Sequence, residues 1–329
     1  MKKWGFCFFQ TAAGSGQLPY VREVFMLTEK IRFFAEHPCV ALADSSMIGL
    51  TDRIDDRRYL RLMFLLAFRQ RLHLDPPKTY SEKLQWIKLN DRKPIYSRMV
   101  DKVDAKKYIA ECIGEGHTPA TLGVWDSFDE IDFDALPDQF VLKTSHDSGG
   151  AIICHNKADF DYEAARRFYS KHLAANYYTA YREWPYRNVK PRILAEELLP
   201  TDDGSVLTDY KFFCFNGEPK MMYITKEEDE TSPIDFFDMD FKPLPLSMDY
   251  FPSVILPEKP ALFEQMRDAA RAIASRNHTY HLRVDFFCSR GNFYVGEMTF
   301  FHGAGFQRIT PESWEDTLGE WIRLPMDCT

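Results

Sequence analysis

No two of the seven cysteines (Cys7, Cys39, Cys112, Cys154, Cys214, Cys288 and Cys328) stand in a CxxC pair, and their number is odd. This argues against a zinc knuckle and a disulfide framework, and for reduced thiols in a cytoplasmic setting. Basic excess is missing as well. Against 49 aspartates and glutamates there are 41 lysines and arginines, a net charge of −8. That balance speaks against a general nucleic-acid binder, which must neutralise phosphates. No apolar run reaches the length of a membrane span. The opening MKKWGFCFF carries two lysines, but its apolar run is too brief for the h-region of a secretory signal. A soluble, cytoplasmic protein is expected. Internal repeats and low-complexity segments are also lacking. What the 329 residues do contain is 45% hydrophobic and 15% aromatic side chains, enough for a sizeable core and two or three subdomains.

In chain order, residues 20–37 have the apolar spacing of an amphipathic helix, and residues 1–50 carry no evident chemistry. Residues 55–74, DDRRYLRLMFLLAFRQRLHL, form a strong helix candidate with arginines at both ends. A basic amphipathic helix can touch an anionic membrane surface; a helix packed on the domain with solvated arginines is the preferred reading. Asp75-Pro76-Pro77 breaks it. A second helix over residues 79–89 starts with a capping-box pattern, Thr79 and Glu82. A helix over residues 103–114, then strands over residues 121–125, 139–144 and 151–154, a helix over 161–176 and strands over 193–199, 208–215 and 219–225 follow. Asn216-Gly217 between two of these strands is a hairpin signal. The acidic residues 227–231 read as a loop, and residues 260–276 as a helix. Strands outnumber crossover helices and come as hairpins, so the fold class is α+β with mixed or antiparallel sheets.

The stretch LRVDFFCSRGNFYVGEMTFFHGAG, residues 282–305, carries the most chemistry. It reads as a hairpin turning at Ser289-Arg290-Gly291-Asn292. Asp285 and Glu297 fall on opposite arms, where they can face one side a few ångströms apart. Two close carboxylates repel and are costly to bury unless a cation lies between them. Mg²⁺ is held in this way, by one or two carboxylates plus phosphate oxygens. The alternative is a strand pair whose acids are solvated or paired with Arg283 and Arg290. In FVLKTSHDSGG, residues 140–150, a buried strand delivers Lys143 to a glycine loop whose backbone N–H groups can form an anion-binding concavity. No GK[ST] precedes a helix, so this is not a P-loop; an ordinary glycine turn with a surface lysine is the plain alternative. Glu196-Glu197-Leu198 ends a strand, where alternating side chains and backbone groups suit a flat adenine ring, or the acids are simply exposed. Asp209 and Lys211 share one strand face, where Lys211 can meet a phosphate or a carboxylate, or only a neighbouring acid. Asp238-Met239-Asp240 formally fits the DxD of a nucleotide-sugar site, although its surroundings read better as a strand edge and turn.

The order of these pieces is more specific than any one of them. TYSEKLQWIKLND, DKVDAKKYI, LPDQFVLKTSHDSGG, REWPYRNVKPRILAEELL, DYKFFCFNGEPK and RVDFF…YVGEMTF, spread over residues 55–329, together resemble the ATP-grasp superfamily. They resemble more closely its TupA-like branch, found in capsule and teichuronopeptide biosynthesis. The resemblance implies two α+β subdomains gripping ATP, residues 99–192 and 193–329, behind a helical region 51–98 and an extension 1–50. It implies that Lys102 and Lys143 grip the phosphates, that the loop Ser145, His146, Ser148, Gly149 and Gly150 closes over them, and that Glu196, Glu197 and Leu198 hold adenine. Mg²⁺ would sit on Asp285 and Glu297, with Arg283 and Lys211 in catalytic positions. Many ATP-grasp enzymes have asparagine two residues after the second acid; Thr299 stands there, a weaker ligand, which leaves the number of Mg²⁺ ions open.

The function expected is an ATP- and Mg²⁺-dependent carboxylate–amine ligase acting through an acyl phosphate on a uronic acid or amino-acid unit of a surface polysaccharide. Its partners are ATP, a carboxylate and an amine; no nucleic acid and no membrane span are expected. A glycosyltransferase using a nucleotide sugar and a non-catalytic nucleotide-binding scaffold are the competing readings. The aromatic loop Trp184 to Tyr186, with Arg182 and Arg187, either faces a sugar or packs between domains.

Overall fold

The computed structural model describes residues 37–201, 206–226 and 232–328; the expectations for residues 20–36 and 227–231 lie outside them. The chain begins with helices α1 (Pro38–Met47), α2 (Asp56–Phe68), α3 (Tyr80–Asn90), α4 (Ile95–Val100) and α5 (Asp104–Ile113). Asp55, in extended backbone, accepts a hydrogen bond from Arg58 N and starts α2, as short polar side chains do at helix N-termini. The helix ends earlier than expected. Arg69 turns left-handed at φ 60°, and Leu72 and Leu74 bury themselves in irregular chain against the cluster that holds Tyr59, Leu60, Met63 and Phe64. Both halves of the capping box on α3 form: Thr79 accepts from Glu82 N, and Glu82 returns to Thr79 N.

Four strands, β1 (Thr121–Trp125), β2 (Phe140–Thr144), β3 (Ala151–Cys154) and β4 (Ile193–Glu197), make an antiparallel sheet in the order β1-β4-β2-β3. Helix α6 (Tyr162–Ala174) covers it, and Tyr169 donates its hydroxyl proton to Leu142 O at 2.8 Å. After the short helix α7 (Tyr177–Tyr181), a second sheet holds β5 (Thr208–Phe215), β6 (Glu218–Lys226), β7 (Asp235–Asp238), β8 (His281–Ser289) and β9 (Asn292–Thr299). Its order is β7-β6-β5-β8-β9, again antiparallel throughout. Helix α8 (Phe263–Ser275) lays Phe263, Met266, Ala270 and Ile273 on this sheet. Helix α4, which straddles the boundary expected after residue 98, and α5, within the expected 99–192 subdomain, add Tyr96, Val100 and Tyr108 to the same core.

Helix α9 (Ser313–Trp321) packs back onto the start of α3. Glu315 accepts from both the backbone N and the hydroxyl of Ser81, at 2.9 and 2.7 Å. The approach is close enough to require glycine: a Cβ on Gly319 would stand 2.3 Å from Lys78 O and 3.0 Å from Tyr80 N. Backbone cannot yield there as a side chain can, and overpacking of this kind costs about 1–3 kcal/mol. Gly319→Ala is therefore expected to lower the unfolding free energy by about 1–3 kcal/mol, read as a lower denaturation midpoint at unchanged slope; an unchanged midpoint contradicts the packing described.

Candidate active site

The hairpin β8–β9 turns through Arg290 and Gly291, both at positive φ (52° and 72°), the backbone that tight hairpins need. Asp285 lies directly opposite Glu297, so the two acids share one face. The register then slips, with Phe286 opposite Val295, and Gly296 is the extra residue of the bulge. A Cβ there would come within 2.4 Å of the Phe287 ring, which would have to move aside. Bulges re-aim side chains beside functional sites.

Asp285 is buried, and its two oxygens accept from Arg283 Nε at 2.6 Å and Arg283 Nη2 at 2.7 Å. Lys211, opposite it on β5, places Nζ 3.1 Å from Asp285 Oδ2 and 3.0 Å from Asp209 Oδ2. Burial by itself would raise the Asp285 carboxyl, but Arg283 and Lys211 hold it below the usual carboxylate range. Burial would lower Lys211, yet Asp285 and Asp209 hold it well above the normal lysine value. Arg283 also reaches Thr299 Oγ1 at 3.1 Å and donates to His302 Nδ1 at 2.6 Å. That bond leaves the proton of neutral His302 on Nε2, which is buried without a hydrogen-bond partner. Burial and the adjacent guanidinium keep this imidazole neutral.

On the four-stranded sheet, Glu196 is buried in the middle of a cation pair. Lys106 Nζ lies 2.6 Å from one of its oxygens and Lys143 Nζ 2.6 Å from the other. Burial pushes Glu196 up, but the two lysines outweigh it and its carboxyl is held low. Lys102 stands 3.7 Å from Glu297 Oε1. Lys102, Lys106, Glu196 and Glu297 line a single cleft between the sheets. The structure thus gathers the hairpin acids and the lysines, with Lys143 connected through Glu196. Glu197 accepts from Ala120 N at 2.9 Å, and Leu198 is half-buried.

The glycine loop departs from expectation in one respect. Ser145, His146 and Asp147 are buried under it, and only Ser148 and Gly149 come toward the surface. Ser145 Oγ donates to Lys190 O, and His146 Nε2 lies 3.1 Å from His172 O. Asp147 accepts from Thr144 and His172, while Lys102 Nζ donates to Asp147 O. The backbone of Gly150 closes against Thr144 so tightly that no Cβ could fit. These footings exist because the loop carries unpaired polar backbone that must be satisfied when packed.

Residues missed in the sequence are those that complete these contacts: Lys106, Asp147, His172 and His302. Lys106, Asp147 and His302 lie within stretches the sequence singles out, DKVDAKKYI, FVLKTSHDSGG and the HGAG after the hairpin, whereas His172 has no local signal. Asp238 accepts from the backbone N of Asp240 and Lys242, so the DxD builds a turn. The aromatic loop packs: Pro185 and Tyr186 are buried, and Arg182 stacks 4.1 Å from the Tyr59 ring centre.

Among the described residues, no three His, Cys, Asp or Glu side chains form a metal-holding group. Asp285 and Glu297 are the carboxylate pair a Mg²⁺ ion would use, completing its shell with phosphate and water oxygens, but it would have to share Asp285 with Arg283 and Lys211, whose N–H groups occupy both carboxylate oxygens. The structure thus sets two antiparallel sheets, an acid hairpin on one and a lysine-bearing glycine loop on the other, on either side of a cleft. The chain belongs to the TupA-like ATP-grasp family, whose model matches residues 82–323. No curated protein matches it significantly. Among solved structures it is similar to D-alanine–D-alanine ligase from Bacillus anthracis complexed with ATP, at 18% identity and TM-score 0.36, over 68% of this chain and 57% of that one. The Helicobacter pylori D-alanine–D-alanine ligase gives 14% and 0.43, over 74% and 69%. The ATP-grasp ligase PsnB with minimal precursor, Mg and ADP gives 14% and 0.39, over 84% and 74%. The chain therefore spans little more than half the length of the first of these.

Asp147 yields a prediction. Burial raises its carboxyl, but His172, Lys102 and Thr144 together pull it below the ordinary value of 3.8. A carboxylate depressed on folding stabilises above its unfolded pKa, and that contribution is lost as pH falls through the folded one. Asp147→Asn is expected to destabilise by about 3 kcal/mol at neutral pH and to flatten the acid limb of the stability curve below about pH 4. Urea melts across pH 2–7 check both.

Proposed function

We propose that this protein is an ATP- and Mg²⁺-dependent ligase that joins a carboxylate to an amine and releases ADP and phosphate. The observation that carries the reading is the Asp285–Glu297 pair, set opposite each other on one hairpin, with Lys102 beside Glu297. Family membership supports it. Magnesium on Asp285 and Glu297, with Thr299 near, would neutralise charge on the phosphate oxygens during transfer.

The chain's own residues supply the rest. Lys102 and Lys143 meet the phosphates as point charges; Lys143 can leave Glu196 for a phosphate because Lys106 stays behind as its counterion. Ser148 and Gly149, on a rigid footing, offer backbone N–H groups over the same phosphates. The strand end Glu196 to Leu198 takes the adenine. Arg283, oriented by Asp285 and His302, faces charge developing at the substrate carboxylate. That carboxylate attacks the γ-phosphorus with ADP leaving; the amine then attacks the acyl carbon, and phosphate departs. Such transfer is mostly positioning and charge neutralisation. The TupA-like family context points to a uronic acid or amino-acid unit of a surface polysaccharide as substrate, in the cytoplasm.

Incubation with ATP, Mg²⁺, uronates and amines should release ADP and phosphate in equal amounts; turnover of nucleotide sugars with none of ATP overturns the reading. Glu297→Gln should reduce ADP release at least ~100-fold while the circular dichroism is unchanged. Lys143→Met should raise KM for ATP by roughly tenfold; retained wild-type kinetics in either variant removes that residue from the site.

A further inference from the structure

The outward face of α2 takes no part in the site described. Arg58, Arg61, Leu62, Leu65 and Arg69 recur at i, i+3, i+4, i+7 and i+11, the spacing of one helical stripe, and all are exposed. Leu62 and Leu65 keep 40% and 46% of their surface. The opposite face, Tyr59, Leu60, Met63 and Phe64, is buried. The turn before the helix exposes Ile48 and Leu50 at 76% and 73%. Six arginines, at 53, 57, 58, 61, 69 and 71, fall in residues 53–71 with only two acids, Asp55 and Asp56. Asp56 is turned inward to Arg92 and Tyr178 at 2.6 and 2.7 Å. Arg57 and Arg58 pair at the surface with Asp75 and Asp55, whereas Arg61, Arg69 and Arg71 make no ion pair among the described residues. The patch is basic on a chain of net charge −8.

We propose that this face seats on an anionic lipid bilayer, with the arginines at the headgroup phosphates and Leu62 and Leu65 entering the acyl boundary. Charge complementarity selects an anionic surface, and the interleaved leucines select lipid over a soluble polyanion. A polyanion rewards the guanidinium groups alone, whereas a bilayer surface rewards the guanidinium groups and the leucines of this one exposed face together. The helix is already anchored by its buried side, so binding requires no refolding. The proposal is independent of the ligase reading, and either can fail without the other.

The test is sedimentation of the full chain with vesicles of phosphatidylcholine, alone or with about a third phosphatidylglycerol. Binding to the anionic vesicles should exceed that to the neutral ones by at least ~10-fold at low salt and fall away at about 0.5 M salt. Arg61→Glu with Arg71→Glu should weaken it by ~10-fold or more. Leu62→Ser with Leu65→Ser should weaken vesicle binding several-fold but leave binding to soluble polyphosphate unchanged. These positions are exposed, and circular dichroism confirms the fold of each variant. Equal binding to both vesicle types, no binding to either, or full binding by the arginine variant overturns the proposal. Full vesicle binding by the leucine variant does so too, because it leaves only a polyanion site.

Discussion

The interaction on which the rest depends is the buried fork between Arg283 and Asp285. An arginine and an aspartate two residues apart on one strand point to the same face, here the face of the five-stranded sheet that meets the cleft. Neither charge could be buried alone, since desolvation of a lone ion in an apolar interior costs several kcal/mol. Together, with Lys211 and Asp209 across the β5–β8 ladder, they form an alternating row of charges inside a core of phenylalanines. Thr299 and neutral His302 each accept one further guanidinium proton. The result is a cation fixed in direction and an acid whose affinity for protons is suppressed.

The smaller sheet is built on the same economy. Glu196 lies between two lysines that would otherwise repel each other, one of its oxygens paired with each. Asp147 ties Thr144, at the end of β2, to His172, at the end of α6, so the glycine loop hangs from two elements at once. Lys102 links the sheets: its Nζ donates to the loop at Asp147 O and stands near Glu297 of the hairpin. The lysines and the loop are in this way each held by counterions, which is how a cluster of cationic side chains can be half-buried in a cleft.

Much was legible before any coordinates. The capping box of α3, the turn at Arg290-Gly291 and the strand periods of the hairpins follow from local chemistry, and these elements appear where residue order puts them. The end of α2 was not legible, because whether Leu72 and Leu74 continue a helix or drop into a pocket depends on the cluster they meet. The footing of the loop was not legible either. Ser145 and His146 read as loop polars, and nothing local says that Lys190, Arg192, His172 and Ala175 come round to cap them.

The amino-acid order alone determined the hairpin, the placing of Asp285 and Glu297 on its two arms, and the lysine at the end of β2, because strand alternation and turn chemistry act over a few residues. Only the tertiary structure decided that Glu196 would be the counterion of Lys106 and Lys143, that His302 would orient Arg283, and that a bulge at Gly296 would follow the acid pair. Those outcomes depend on groups 19 to 90 residues apart (Arg283 to His302, Lys106 to Glu196), or on a register set by the neighbouring strand, and burial forces each polar group to find whichever partner the fold delivers.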